Sequence, residues 1–182
     1  MEIDSNTEAW YAMRVTYGRE LQVQAAIESK FETFIPKCYK TVERFGKRHY
    51  ELTSCISNLL FVFGSKNKIE EERQKQIEIR DEKQSHRLNF IKDHENQYII
   101  VKNKQMEDFI RVNELPEYQT MPLDIREGEK LVGQKVRITG GILTGVEGII
   151  KRIGGNKKVI VMIDGLCATA IKYISPQLLV KL

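Results

Sequence analysis

Cysteine is sparse in this chain, and its three copies do not pair off: Cys38, Cys55 and Cys167 are odd in number and show neither CxxC nor Cys–His ligand spacing. A disulfide framework and a zinc site are both excluded as organising devices, since each needs partners at short regular spacings. The expected role of these residues is that of small hydrophobes kept reduced in a core. Histidine is equally scarce, and His49, His86 and His94 have no nearby cysteine and no paired-ligand spacing. No apolar run approaches the roughly 18 residues that a membrane span requires. Met1 to Glu8 also lacks the basic start and apolar middle of a secretory signal, so a cytoplasmic protein without membrane association is expected. There is no G-x-S-x-G, Walker A or dinucleotide fingerprint. The glycine-rich Gly140 to Gly145 lacks the Lys-Ser/Thr ending of a phosphate-binding loop and runs into a strand pattern, not a helix. Catalysis, a cofactor and a metal are therefore not expected, and the chain is read as a binding protein.

What is present divides into two parts. The 182 residues, 41% hydrophobic and 30% charged, suffice for one core of about 100 residues and a smaller second unit. The formal net charge of +4 is unevenly spread. Gly128 to Leu182 holds nine Lys or Arg against three Asp or Glu, whereas Met1 to Glu127 holds twenty against twenty-two. A basic unit joined to a slightly acidic one suits contact with RNA or an acidic protein surface, although surface lysines that merely solubilise give the same count.

In the last third, Val136 and Ile138 alternate with Lys135 and Arg137, the period of a strand with one buried face. Gly140, Gly141, Gly145 and Gly148 crowd the following turn, where positive φ or close backbone approach is expected. Strand patterns resume at Gly148 to Ile153 and Lys157 to Ile163, with turn signals at Gly154-Gly155-Asn156 and Asp164-Gly165.

At the other end, Ala9 to Thr16 reads as a strand and Arg19 to Phe31 as a helix, with Val23, Ala26, Ile27 and Phe31 on one face. Thr33 to Arg44 reads as extended, Phe45-Gly46-Lys47-Arg48 as a hairpin tip, and Tyr50 to Thr53 as the returning strand. Lys37, Lys40, Arg44, Lys47 and Arg48 make this arm basic, for phosphate contact or as a charged edge that resists strand addition. The apolar ISNLLFVF of Ile56 to Phe63 reads as a central strand. Lys66 to Arg87 reads as a solvated helix with i,i+4 pairs such as Glu71 with Lys75. Leu88 to Ile91 and Tyr98 to Val101 are further strand candidates, and Asn103 is placed to cap a short helix with Met106, Phe109 and Ile110 on one face. Val112 to Glu129, with Pro116 and Pro122, has no period and reads as a linker.

Two of these features together resemble one family. The Val132 to Ile153 strand–turn–strand is similar to the KOW motif of small SH3-like barrels. The Trp10-Tyr11 strand followed by Gly18-Arg19-Glu20 and a helix resembles the opening of the N-terminal domain of NusG transcription elongation factors. The resemblance implies an α+β fold: an N-terminal α/β sandwich, an antiparallel sheet with helices, at 1–112, a linker at 113–129, and a KOW-containing SH3-like β-barrel at 130–182. It implies binding to bacterial RNA polymerase through Tyr11, Ile56 and Leu59. It further implies contact with DNA of the transcription bubble through Arg19, Lys37, Lys47 and Arg48, and docking of a small-subunit ribosomal protein or Rho at Gly140, Gly141, Ile142, Gly145, Val146 and Gly148. A monomer is expected. The family's Phe-Pro-Gly/Asn-Tyr turn is replaced by Ile56, Ser57, Asn58 and Leu59. That departure suggests a specialised antiterminator resembling the UpxY-type factors of Bacteroides capsular polysaccharide operons. The alternative is a ribosome-associated, KOW-type RNA-binding structural protein.

Overall fold

The computed structural model describes residues 6–78, 88–116, 119–123 and 133–182. The chain forms two compact units, Met1–Asn103 and Lys104–Leu182. The first contains β1 (Glu8–Val15), α1 (Glu20–Ile27), β2 (Glu32–Phe34), β3 (Lys37–Arg44), β4 (Lys47–Ser54), β5 (Leu59–Ser65), α2 (Lys66–Glu78), β6 (Leu88–Phe90) and β7 (Ile100–Val101). Its sheet runs β2-β5-β1-β6, with β7 also on β1, while β3 and β4 form a separate two-stranded ribbon.

Strand alternation sorts the sheet's side chains. Tyr11 is opposite Val62 and Met13 opposite Leu60, so these four share one face. They form a core with Val23 and Ile27 of α1 and Ile69 of α2. Val23 and Ile27 lie one helical turn apart and are fully buried, each stabilising the unit by roughly 1.5–3 kcal/mol. The helix is shorter than its sequence pattern. It stops at Ile27, Ala26 faces solvent, and Phe31 reaches the core edge from a turn in which its N–H donates to Ile27 O. In α2 the expected Glu71–Lys75 pair forms at 2.7 Å, and Glu72, buried, is bound by Lys30 at 2.7 Å. The expected continuation of this helix through Ile79 to Arg87 lies outside the described residues.

The second unit takes in α3 (Asn103–Asn113) from Lys104 onward, then β8 (Thr120–Leu123), β9 (Gln134–Ile138), β10 (Glu147–Ile153), β11 (Asn156–Ile163), β12 (Cys167–Ile171) and β13 (Leu179–Lys181). The six strands follow the order β13-β9-β10-β11-β12-β8, and every pairing is antiparallel. Val136 and Ile138 are buried as their alternation predicts. Gly154 and Gly155 both take positive φ, as a two-residue turn between β10 and β11 requires. The fold is thus α+β, with a helix-covered antiparallel sheet followed by a β-rich unit.

The domain division differs from the expected 1–112, 113–129 and 130–182. The residues of α3 from Lys104 group with the β-rich unit, and the supposed linker contains β8, which pairs with β12 from Thr120↔Ile171 to Leu123↔Ala168. Pro122 concealed this strand. Proline lacks the N–H of a ladder donor, but β8 is an end strand of the sheet, and such a position tolerates it.

Candidate functional site

The segment entering β5 is held by the start of α1. Asn58 takes φ +64, a left-handed conformation that asparagine adopts more readily than most residues. Its N–H donates to the buried Glu20 carboxylate, its side-chain oxygen accepts the Gly18 N–H at 3.0 Å, and its carbonyl accepts the Val15 N–H at 3.0 Å. One turn residue thereby joins β1, α1 and β5.

Of the three residues expected on a polymerase face, only Ile56, in the turn that this network fixes, is half-exposed. Tyr11 is 2% exposed and Leu59 is 4%. Leu59 is opposite Arg14, so it shares a face with Trp10, Ala12, Phe61 and Phe63, whereas Tyr11 points to the other side of the sheet. The register thus puts Tyr11 and Leu59, both expected at the polymerase contact, on opposite faces of the sheet, and both are buried. Burial also pushes the Tyr11 hydroxyl pKa up, as befits a core tyrosine.

The basic residues are distributed along a ribbon. β3 and β4 pair in unbroken register from Lys37↔Ser54 to Arg44↔Lys47. Lys37 stands at the base and Lys47 and Arg48 near the tip, roughly 23 Å apart for seven strand steps. Arg44 is tied to Glu51 at 3.1 Å, and Lys40 donates to Ser54 O at 2.7 Å. Lys37, Lys47 and Arg48 are exposed and form no ion pair among the described residues. Arg19 is half-buried beside α1, its guanidinium 5.7 Å from the Tyr17 ring centroid.

The glycine turn of the second unit is a short 3-10 turn, Gly141–Leu143. Gly141 and Gly145 take φ +74 and +87, and Gly148 is required for a different reason: a Cβ there would lie 2.6 Å from Ile160 O. Ile142 projects into solvent, 75% exposed, but Val146 is fully buried. The expected apolar docking pair is therefore reduced to Ile142. Gly145 donates to Ile138 O at 2.7 Å and Val146 O accepts the Ile138 N–H at 2.9 Å, which ties Val146 to the end of β9.

The sequence reading missed what holds this turn. Arg111 donates to Ile142 O at 2.7 Å and to Thr144 O at 3.1 Å, and Lys104 donates to Gly145 O at 2.9 Å. Asp108, buried, accepts the Glu147 N–H at 3.1 Å and Lys104 Nζ at 2.5 Å. The spacing of Lys104, Asp108 and Arg111 puts them on one helical stripe, a signal present in the sequence beside the apolar stripe of Met106 and Phe109. Cys167 is buried and burial pushes its thiol pKa up, which leaves it unreactive. Cys38 and Cys55 are half-buried, not core residues. Among the described residues no His, Cys, Asp and Glu side chains gather as a metal site, and no helix is long and apolar enough to cross a membrane.

The described residues thus comprise a helix-covered sheet with an exposed basic ribbon, followed by a β-rich unit whose glycine turn presents the apolar Ile142. The sequence model of NusG, described as transcription termination factor nusG, matches residues 8–110. The match spans more than half of the chain, and the chain belongs to the NusG family of transcription elongation and antitermination factors. Factors of this family are not enzymes, and they bind RNA polymerase. A solved structure titled "Domain interaction in Thermotoga maritima NusG" is similar at 22% identity and a TM-score of 0.49, over 98% of this chain and 99% of that one. No curated protein matches the chain.

Proposed function

We propose that this protein is a specialised antiterminator that binds RNA polymerase through its N-terminal unit and suppresses pausing or termination on particular long operons, as the UpxY-type factors of capsular polysaccharide operons do. The observation that carries the reading is the family match over residues 8–110. The Ile56-Ser57-Asn58-Leu59 turn, which lacks the proline and aromatics usual in the family, supports the specialisation. Ile56, at the exposed end of that turn, is the proposed polymerase contact, with Leu59 behind it. Lys37, Lys47 and Arg48, with Arg19, would neutralise phosphates of the bubble DNA. Ile142 would be the apolar contact for a second factor, a small-subunit ribosomal protein or Rho.

The decisive experiment is affinity purification of the tagged full chain from its own host. RNA polymerase should copurify, and Ile56→Glu should abolish the association without changing the thermal unfolding of the chain. Recovery of ribosomal subunits in place of polymerase would favour the ribosomal alternative, and retention of polymerase by Ile56→Glu would remove Ile56 from the contact.

A further inference from the structure

The hairpin of β10 and β11 runs on past the rest of its sheet. The ladder to β9 ends at Ile150↔Gln134 and the ladder to β12 at Val159↔Ile171, while Ile150 and Val159 are opposite each other. Among the described residues both neighbouring strands therefore stop at one level. Beyond it stand the pairs Lys151↔Lys158, Arg152↔Lys157 and Ile153↔Asn156, a two-stranded ribbon that reaches about 10 Å further at 3.4 Å per residue. At its tip a Cβ on Gly154 or Gly155 would meet nothing within 4 Å.

Its charge is the anomaly. Two consecutive rungs set cation against cation, Lys151 opposite Lys158 and Arg152 opposite Lys157, and like charges directly opposite destabilise a ladder. No Asp or Glu occurs from Gly148 to Ile163 to offset them, and none of the four forms an ion pair among the described residues. Lys158 Nζ donates to Lys172 O at 3.4 Å, which brings the backbone of a fifth cationic residue to the base of the ribbon. Side chains alternate along a strand, so Lys151 and Lys158 point to one face and Arg152 and Lys157 to the other. A flat acidic surface serves only one of these faces. A cleft with an anionic wall on each side serves both.

We infer that the β10–β11 hairpin enters the major groove of double-stranded DNA, with Lys151 and Lys158 on the phosphates of one flanking backbone and Arg152 and Lys157 on those of the other. That groove is about 12 Å wide and 8.5 Å deep and admits a two-stranded ribbon, so a reach of about 10 Å fills its depth. The major groove of A-form RNA is deep and narrow, and a single strand offers one backbone where the ribbon has two charged faces. Phosphate contacts of this kind fix position without reading sequence. The hairpin tip lies at the far end of β10 from the Gly141–Leu143 turn, six strand steps or roughly 20 Å away, so a second factor at Ile142 and duplex DNA at the hairpin occupy separate ends of the unit. The inference rests on neither the Ile56 contact nor the phosphate reading of Lys37, Lys47 and Arg48.

The test uses the full chain and three fluorescein-labelled probes, a DNA duplex of about twenty base pairs, or two helical turns, an RNA duplex of the same length and a single-stranded oligothymidylate, with anisotropy read over a salt series. Arg152→Gln with Lys157→Gln, and separately Lys151→Gln with Lys158→Gln, should each lower the salt slope for duplex DNA by about two, one for each lost phosphate contact, and weaken its binding at least about ten-fold. The slopes for the RNA duplex and the single strand should not change. Phosphate contacts made by other parts of the chain are common to parent and variants, so the differences report the hairpin alone. The Arg152–Lys157 variant should melt no lower than the parent, because a repulsive rung has been removed, which separates loss of contact from loss of fold. A DNA duplex whose major groove is filled by glucosylated hydroxymethylcytosine should bind the parent as weakly as plain duplex binds the variants, whereas netropsin in the minor groove should change nothing. Equal losses on all three probes, or an effect of only one of the two cation pairs, would overturn insertion into a groove. An unchanged slope for duplex DNA in both variants would overturn the contact altogether. If polyglutamate at equal charge concentration displaced the hairpin-dependent part of the binding, the partner would be an acidic protein and the inference wrong.

Discussion

Replacing Asp108 by alanine probes a buried carboxylate of the second unit. Its side chain is 4% exposed while that of Lys104, its ion-pair partner, is 54% exposed. Two losses follow. The Glu147 N–H, at 3.1 Å, loses a charged acceptor, at a cost of about 1.5–3 kcal/mol. The half-exposed lysine loses an ion pair that solvent already screens, for about 0–1 kcal/mol. The sum is about 1.5–4 kcal/mol. For a unit the size of Lys104–Leu182, at roughly 4–8 °C per kcal/mol, the corresponding transition should fall by at least about 6 °C. Calorimetry of the full chain resolves this if the two units melt separately, and hydrogen exchange at the Glu147 amide reports the same loss locally. Asp108→Asn retains an oxygen acceptor and should recover part of the stability. An Asp108→Ala variant no less stable than the exposed Asp164→Ala would refute the claim that this carboxylate fastens the helix to β10.

Gly148→Ala would set a Cβ 2.6 Å from Ile160 O, a backbone atom with no rotamer to retreat into. The variant should lose about 1–3 kcal/mol by forced repacking, measured by urea denaturation. Phe45→Asn should gain about 1 kcal/mol by relieving a left-handed backbone at φ +53, visible as a higher midpoint in the same assay. For Glu72, burial raises the carboxyl pKa, but hydrogen bonds from Lys30 and Gln76 outweigh it and hold the group below its ordinary 4.5. Its contribution is therefore complete above the unfolded glutamate value and is lost as pH falls through the lower folded one. Glu72→Gln should flatten part of the acid limb of the stability–pH curve, followed by circular dichroism.

Features whose physics is local were legible in the sequence. Alternation locates β9 through Val136 and Ile138, and the glycine pair locates the turn at Gly154-Gly155. Features decided by partners distant in the chain were not. Whether Tyr11 points toward or away from Leu59 depends on the register of β1 against β5, which neither strand encodes alone. Val146 follows a turn whose glycines resemble an exposed loop, and only its ties to β9 turn it inward. The stripe of Lys104, Asp108 and Arg111 looks like a solvated helix face until the carbonyls of Ile142, Thr144 and Gly145 are seen beneath it. A truncation drawn from the sequence, removing Gly128 to Leu182, would strip β8 of its pairing strand and α3 of these acceptors.

The position of β8 has a consequence for how the chain is made. It leaves the ribosome well before β12, the strand that completes its ladder at Leu123↔Ala168, so during synthesis it waits with its hydrogen-bonding groups open. Such a waiting strand is a template for wrong partners, including the same segment of a neighbouring nascent chain. Pro122, in the middle of these four residues, removes one donor from the exposed row and makes the segment a poor template. The residue that hides the strand from a reader of the sequence also protects it from premature pairing, and Pro122→Val should trade a better-formed native ladder for more aggregation during refolding.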